Sequence, residues 1–221
     1  MLAKTIKLSN FAHNLVTKSS CYRPEKECDL NDLDQTLNHD LALARGAGLS
    51  YNDCCTNDKH SIINTQRLNH FFSFDKNSGV VVCQPGIRFA ELFLLDNQLI
   101  PPVLPGTVHA SLGGAIANDI HGKNNHKEGC FGHHIQWLEL QINNKIIHCD
   151  SQHRADLFYA TIGGLGLTGI IRKIALKLKP AKPYVLVQQE QHQNYDALIE
   201  RIQHLLAYSD YIVAWLDLLN H

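Results

Sequence analysis

The feature that most constrains this chain is a set of glycine-bearing loops. The longest lies between positions 105 and 124. It reads Pro105-Gly106-Thr107, then Gly113-Gly114-Ala115-Ile116-Ala117, then His121-Gly122-Lys123-Asn124. The stretch carries little charge and no sustained helical or alternating period. Where glycine recurs, a ligand can approach the main chain with no side chain in the way. Successive N–H groups turned in one direction suit a phosphate or a flat polar ring. Two other segments share this character, Arg45-Gly46-Ala47-Gly48-Leu49-Ser50-Tyr51 and Gly163-Gly164-Leu165-Gly166-Leu167-Thr168-Gly169. Together they predict a fold that brings three separated loops to one ligand.

Size and composition narrow the class. At roughly 100–200 residues per domain, 221 residues hold one full domain and part of a second, or two small ones. With 44% apolar residues the chain can bury a core, and a net charge of -1 gives no electrostatic case for nucleic acid or an anionic membrane. No apolar run reaches the ~18 residues needed to span a bilayer, and residues 1–10 lack the apolar core of a signal peptide. The seven cysteines (Cys21, Cys28, Cys54, Cys55, Cys83, Cys130, Cys149) are odd in number and form no C-x-x-C. They support neither a disulfide framework nor a zinc ribbon, and reduced cytosolic thiols fit best. The fourteen histidines, among them His121, His126, His133 and His134, fall on no H-E-x-x-H frame. Solvated loop histidines are expected and no metal site is assigned. A Cys54-Cys55 redox pair and a His-rich metal-binding protein stand as alternatives.

In chain order, a poorly patterned arm precedes an expected helix over 29–37, whose Asp and Asn residues gather at the positive end. A strand over 41–44 leads into the first glycine loop. That order resembles a dinucleotide fingerprint, but G-x-G-x-x-G is absent and 50–53 is turn chemistry, not a helix start. Strands are expected over 61–64 and 80–83. A helix over 89–98 follows, burying Phe89, Leu92 and Leu95 or Phe93. Strands over 135–142 and 145–149 meet at Asn143-Asn144, a strong hairpin signal. A short helix over 156–161 enters the third loop. The strand over 170–179 turns Ile174, Leu176 and Leu178 inward and Lys173, Lys177 and Lys179 into solvent. After a boundary at 180–183, a strand over 184–188, a helix over 195–206 and a strand over 211–216 open a β-α-β unit that needs further strands to close.

Four motifs in this order carry a resemblance: R-G-A-G-L-S-Y-N-D at 45–53, V-L-P-G-T at 103–107, G-G-A-I-A-N-D-I-H-G-K-N at 113–124 and D-L-F-Y-A-T-I-G-G-L-G-L-T-G-I-I at 156–171. The chain resembles the FAD-binding domain of the vanillyl-alcohol-oxidase (PCMH) type. It is most similar to the branch of decaprenylphosphoryl-ribose oxidases, with aldonolactone oxidases as cousins. Y-I-V-A-W-L-D at 211–217 looks like the start of that family's substrate domain. The resemblance implies an α+β fold: a two-subdomain PCMH-type FAD-binding domain over 1–180, then a C-terminally truncated substrate or cap domain over 181–221.

The resemblance also implies roles. The backbone of Gly46, Ala47, Gly48, Leu49 and Ser50 would hold the FAD pyrophosphate, with the Ser50 hydroxyl adding a hydrogen bond, and Arg45 counts with them as cofactor-binding. Gly106, Thr107, Ser111, Gly113 and Gly114 would pass close to the isoalloxazine and ribityl chain. Asn118, His121 and Gly122 would line the same wall, with His121 turned to the flavin or the substrate. Gly169 and Ile171 would meet the adenine or ring end through their backbone, and Tyr51 would stand near the redox centre. Leu49 occupies the position where covalently flavinylated cousins carry histidine, so FAD is expected to be dissociable. The implied reaction is hydride transfer to flavin from a hydroxyl of a sugar or polyprenyl-phosphoryl sugar. The alternative is an inactive FAD-binding fragment that needs a separate C-terminal chain. The base is expected from the substrate domain, so no catalytic residue is named. Loose FAD binding and a cytoplasmic location complete the expectation, with peripheral attachment to the inner membrane as an option.

Overall fold

The structure is a computed structural model that describes residues 2–31, 33–37 and 40–217. The arm that reads as unpatterned forms a hairpin, β1 (Lys4–Ser9) antiparallel to β2 (Val16–Tyr22). Its inward positions on β2 are Thr17, Ser19 and Cys21, all buried. The Ser19 hydroxyl is satisfied by the Asn57 carbonyl at 2.7 Å. The period of two is present, but small polar residues carry it. Next come β3 (Ala42–Arg45) and β4 (Ser61–Asn64), and β4 lies parallel to both β2 and β3 in a sheet ordered β1-β2-β4-β3.

The helix expected over 29–37 is two pieces, a 3-10 turn Glu27–Leu30 and α1 (Leu33–Leu37), with Asp32 outside the described residues. The Asp29 carboxylate turns back to accept the Glu25 and Lys26 N–H groups at 2.8 and 3.0 Å, which closes the first turn locally. Leu30 and Leu33 then join Ile63 and Leu68 in a small core of their own.

The second sheet is antiparallel throughout. It is built from β5 (Phe71–Asp75), β6 (Val80–Cys83), β8 (Ile135–Ile142), β9 (Lys145–Asp150) and β10 (Ile170–Lys177), ordered β5-β6-β10-β8-β9. A two-residue pair, β7 (Leu99–Ile100) with β11 (Lys179–Pro180), lies outside it. Asn143 turns the β8–β9 hairpin with φ +51°, the left-handed geometry such turns require. Helices α2 (Phe89–Leu92), α3 (Leu112–Ala117) and α5 (Ala155–Thr161) contribute Phe89, Leu92, Leu112, Ile116 and Phe158 to the large core. Within it the Phe89 and Phe131 rings are fully buried, 5.3 Å apart and tilted. This is the expected α+β fold in two parts.

Arg172 ties the parts together. It sits on β10 with its side chain 4% exposed and reaches Glu27 of the first part at 2.9 Å. It also donates to Asn31 at 3.0 Å and to Gln141 at 2.5 Å. Its neighbour Lys173 is ion-paired rather than solvated, to Glu139 at 3.2 Å and Glu27 at 3.6 Å. Likewise Lys177 donates to the Ser78 carbonyl, and Lys179 pairs with Glu128 of α4 (Asn125–Glu128) at 2.7 Å.

The remaining differences have local causes. Helix α2 stops at Leu92, because Leu94 and Leu95 N–H groups bond three residues back and Asp96 closes a turn on Gln98 N–H at 2.7 Å. Phe93 and Leu94 are therefore exposed. The segments 184–188 and 211–216 form no strand, since neither has a neighbouring strand to bond. Among the described residues of the tail only α6 (Tyr195–Leu205) forms, capped by the Asn194 side chain accepting Ala197 N–H at 2.9 Å. The tail returns to the body at 209–212. Ile212 N–H donates to the Lys123 carbonyl at 2.9 Å, His126 Nε2 to the Ser209 carbonyl at 2.8 Å, and Lys127 pairs with Asp210 at 2.9 Å. Among the described residues no helix is long and apolar enough to cross a membrane.

Candidate functional site

The three glycine loops meet. β3 delivers Ala44 and Gly46 to one wall of a cleft, and its parallel neighbour β4 delivers Thr65 beside them. Pro85 and the α3 residues Gly113, Gly114 and Ala117 form a second wall; Gly166, Gly169 and Ile171 close the third. The cleft measures about 360 Å³ including its open mouth.

Specific bonds lock the loops to one another. Ala47 N–H donates to the Ser111 hydroxyl at 3.3 Å, joining the first loop to the second. Gly163 and Leu165 N–H groups donate to the Ile116 and Ala117 carbonyls at 2.9 and 2.8 Å, joining the third to the second. Close approach at these joints demands glycine: a Cβ on Gly46 would strike the Ser111 hydroxyl, and one on Gly113 would come within 2.7 Å of Pro85. Gly106 differs, because a Cβ there would meet nothing within 4 Å.

The expected site residues divide into three groups. Gly46, Gly113, Gly114, Gly169 and Ile171 line the cleft itself. Arg45 and Ser111 are buried behind it and shape it. The Arg45 guanidinium turns away, to the Ser9 carbonyl at 2.7 Å and the Cys55 carbonyl, and it fills the space beside Gly48. Asn118 supports the same wall through Nδ2 to the Gly114 carbonyl at 2.8 Å. Ala47 is held by Ser111, while Leu49, Ser50, Tyr51, Gly106, Thr107, His121 and Gly122 are absent from the lining. Of these, Tyr51 and His121 are exposed, and the Thr107 hydroxyl accepts its own loop's His109 N–H at 3.2 Å. A Cβ on Gly122 would lie 2.8 Å from the Leu104 carbonyl, so that glycine has a packing reason.

Ala44, Thr65, Pro85, Ala117 and Gly166 line the cleft as well, beyond the residues expected there. Gly166 lay inside a recognised motif. Thr65 and Pro85 enter only through strand pairing, which no local signal marks.

The lining carries no titratable side chain. It offers backbone groups, one hydroxyl and small apolar surface, so it can bind and orient a ligand but supplies no acid or base. Among the described residues no group of three or more His, Cys, Asp or Glu is arranged to hold a metal ion. Burial lowers the pKa of His134, outside the cleft, despite its bond to the Glu128 carbonyl.

A family model described as an FAD binding domain matches residues 21–149, a span that contains the first glycine loop and all of the second. The chain belongs to the FAD-binding domain family. FAD is its cofactor, and the domain is of the PCMH type. Among curated proteins, the chain is 40% identical over 144 residues to decaprenylphosphoryl-beta-D-ribose oxidase of Mycolicibacterium smegmatis, covering 63% of this chain and 31% of that protein. It is 27% identical over 133 residues to delta(24)-sterol reductase of Rattus norvegicus, covering 59% and 26%. It is 23% identical over 176 residues to D-arabinono-1,4-lactone oxidase of Eremothecium gossypii, covering 77% and 32%. The chain thus spans about a quarter to a third of these relatives.

The FAD-binding domain's cleft fits such a cofactor in kind. Its walls are built from small residues, five of them glycine, and its lining is uncharged.

Proposed function

We infer that this chain is the FAD-holding part of an oxidoreductase that removes a hydride from a hydroxyl-bearing carbon of a sugar or lipid-linked sugar. The observation that carries the reading is the convergence of three separated glycine loops on one cleft with no titratable lining. Such a cleft supplies position and leaves the redox step to the flavin, which accepts the hydride when bound. In this reading the backbone of Gly46 to Ser50 faces the pyrophosphate. The span from Gly106 to Gly122 passes the ring and ribityl chain, with His121 exposed toward the substrate side. Residues 1–180 form the cofactor domain and 181–221 begin the substrate side, which is where the base that takes the hydroxyl proton belongs. Leu49 has no nucleophilic atom, so the flavin is held without a covalent bond.

A second reading is that the chain binds FAD but turns over only with a further polypeptide. The observation favouring it is the uncovered apolar tail, where Leu186 is 97% and Trp215 83% exposed.

Both readings predict saturable FAD binding, with all the flavin released into the supernatant when the protein is precipitated in acid. Colour retained on the chain would overturn the non-covalent assignment. A folded chain that takes up no FAD would overturn both. The substitution Gly106→Ala separates ligand contact from packing: thermal stability is expected to stay unchanged while FAD binding weakens about tenfold, roughly 1.4 kcal/mol. Unchanged affinity would remove Gly106 from the site.

A further inference from the structure

Among the described residues that line the cleft, Thr65 alone has a polar side-chain atom; the others are alanine, glycine, proline and isoleucine. Strand β4 carries it there. β4 runs parallel to β3 with Asn64 opposite Arg45, so the residue after β4 lies beside the start of the first glycine loop. The chain then turns at once. Residues Thr65–Arg67 form a 3-10 turn, and the Asn64 side chain accepts Gln66 N–H at 3.1 Å.

The turn is held from two sides. The Thr65 carbonyl accepts Leu68 N–H at 2.9 Å, and the Leu68 carbonyl accepts Gly86 N–H at 2.8 Å. A Cβ on Gly86 would stand 2.4 Å from the Thr65 carbonyl oxygen, so the turn and the segment after Pro85 pack with no room between them. Thr65 itself is 5% exposed. Its hydroxyl donates to the Arg45 carbonyl at 3.2 Å.

That bond decides what the hydroxyl has left to offer. A hydroxyl has one proton to give and two lone pairs to receive with. The proton is committed, because a carbonyl can only accept. What remains is an acceptor in a buried, uncharged wall, and such an atom gains by meeting a ligand N–H or O–H. A phosphate oxygen brings no proton. To bind one, Thr65 would have to release the Arg45 carbonyl, directly before Gly46. The two chemistries are separate within FAD: its pyrophosphate only accepts, whereas its ribityl and ribose hydroxyls and its adenine amine donate.

Building on the reading that FAD occupies this cleft, we propose that Thr65 is a cofactor-selecting residue whose Oγ1 accepts a hydrogen bond from a hydroxyl or amine of the bound dinucleotide. The wall at the ends of β3 and β4 therefore meets a sugar-alcohol or adenosine group, and the pyrophosphate lies elsewhere.

The test titrates the full chain with FAD and records phosphorus NMR of the bound cofactor. Thr65→Val keeps the shape and removes the hydroxyl. It is expected to weaken FAD binding about tenfold, the worth of one good hydrogen bond in a buried site, with both phosphorus resonances where the parent has them. Thr65→Ser keeps the hydroxyl and is expected to stay within about fourfold of the parent, the cost of one methyl group. Competition by ADP separates the two sources of the donor. An equal loss for ADP puts the adenosine half on Thr65, and an unchanged ADP affinity puts the ribityl chain there; either result supports the proposal. If the valine variant does not fold, Thr65→Ala carries the same comparison.

Unchanged FAD affinity without the hydroxyl would remove Thr65 from the cofactor. Phosphorus resonances that shift along with the loss would make Thr65 a brace for the first loop and nothing more. Either result, with FAD still bound by the parent, overturns this inference alone. A parent that takes up no FAD overturns the functional reading beneath it as well.

Discussion

Val80-Val81-Val82-Cys83 and Tyr184-Val185-Leu186-Val187 are almost equally apolar and β-prone. The first is a central strand bonded on one side to β5 and on the other to β10, with Val81 and Cys83 fully buried. The second is extended chain in water, with Leu186 97% exposed. Side-chain preference makes a strand available, and a neighbouring edge makes it form. The body of this protein buries a large apolar core of its own; the described residues of the tail bury none, and the tail touches the body mainly through polar bonds at 209–212.

Substitutions should expose that difference. Phe131→Ala empties a fully buried site against Phe89 and is expected to cost about 3–5 kcal/mol in denaturant unfolding. Leu186→Ala in the tail is expected to stay within about 0.5 kcal/mol of the parent. Comparable losses at both places would mean the tail is covered after all.

Ion pairs should divide in the same way. Arg172→Met leaves Glu27 without its buried partner, and because Glu27 keeps some solvent the cost is expected at the low end of about 3–5 kcal/mol. Arg201 in the tail pairs with Glu190 at a similar 2.7 Å, yet removing it should leave unfolding unchanged, since both groups remain hydrated.

A thiol-linked pH dependence is confined to the body, because the tail contains no cysteine. Burial, with Glu91 adding to it, pushes the Cys83 thiol up to about 12 from 9.0, and burial and Asp150 push Cys149 up to about 11. The folded chain therefore keeps these protons after the unfolded chain has lost them. The stability they lend is complete below pH 9 and is lost as pH rises from 9 towards 11–12. The melting temperature should fall across that window, and Cys83→Ala should flatten the fall. A parent melting temperature that is level between about pH 9 and 11 would contradict the burial of these thiols.

The fold was legible where apolar pattern and turn chemistry coincide. Strands β4, β6 and β8, the Asn143-Asn144 hairpin and helix α6 all stand where the residues predict them. Strand β2 was not legible, because its buried face is Thr17, Ser19 and Cys21, small residues among which the Ser19 hydroxyl is satisfied by a hydrogen bond, so no apolar alternation marks the strand. The end of α2 was missed for a related reason: Asp96 diverts the chain with a side-chain bond that periodicity does not see. In the site, glycine announced the backbone walls at Gly46, Gly113 and Gly169. Thr65 and Pro85 gave no sign, because only the pairing of distant strands carries them to the cleft. Arg45, expected at the cofactor, instead turns its guanidinium inward as a strut under the loop.

The most direct measurement is amide hydrogen exchange of the full chain with and without FAD. Slower exchange is expected in three places at once on adding FAD, at 45–51, 105–122 and 163–171, with residues 184–208 unchanged. Protection of a single loop, or protection appearing in the tail instead, would contradict the claim that the three loops enclose one cofactor.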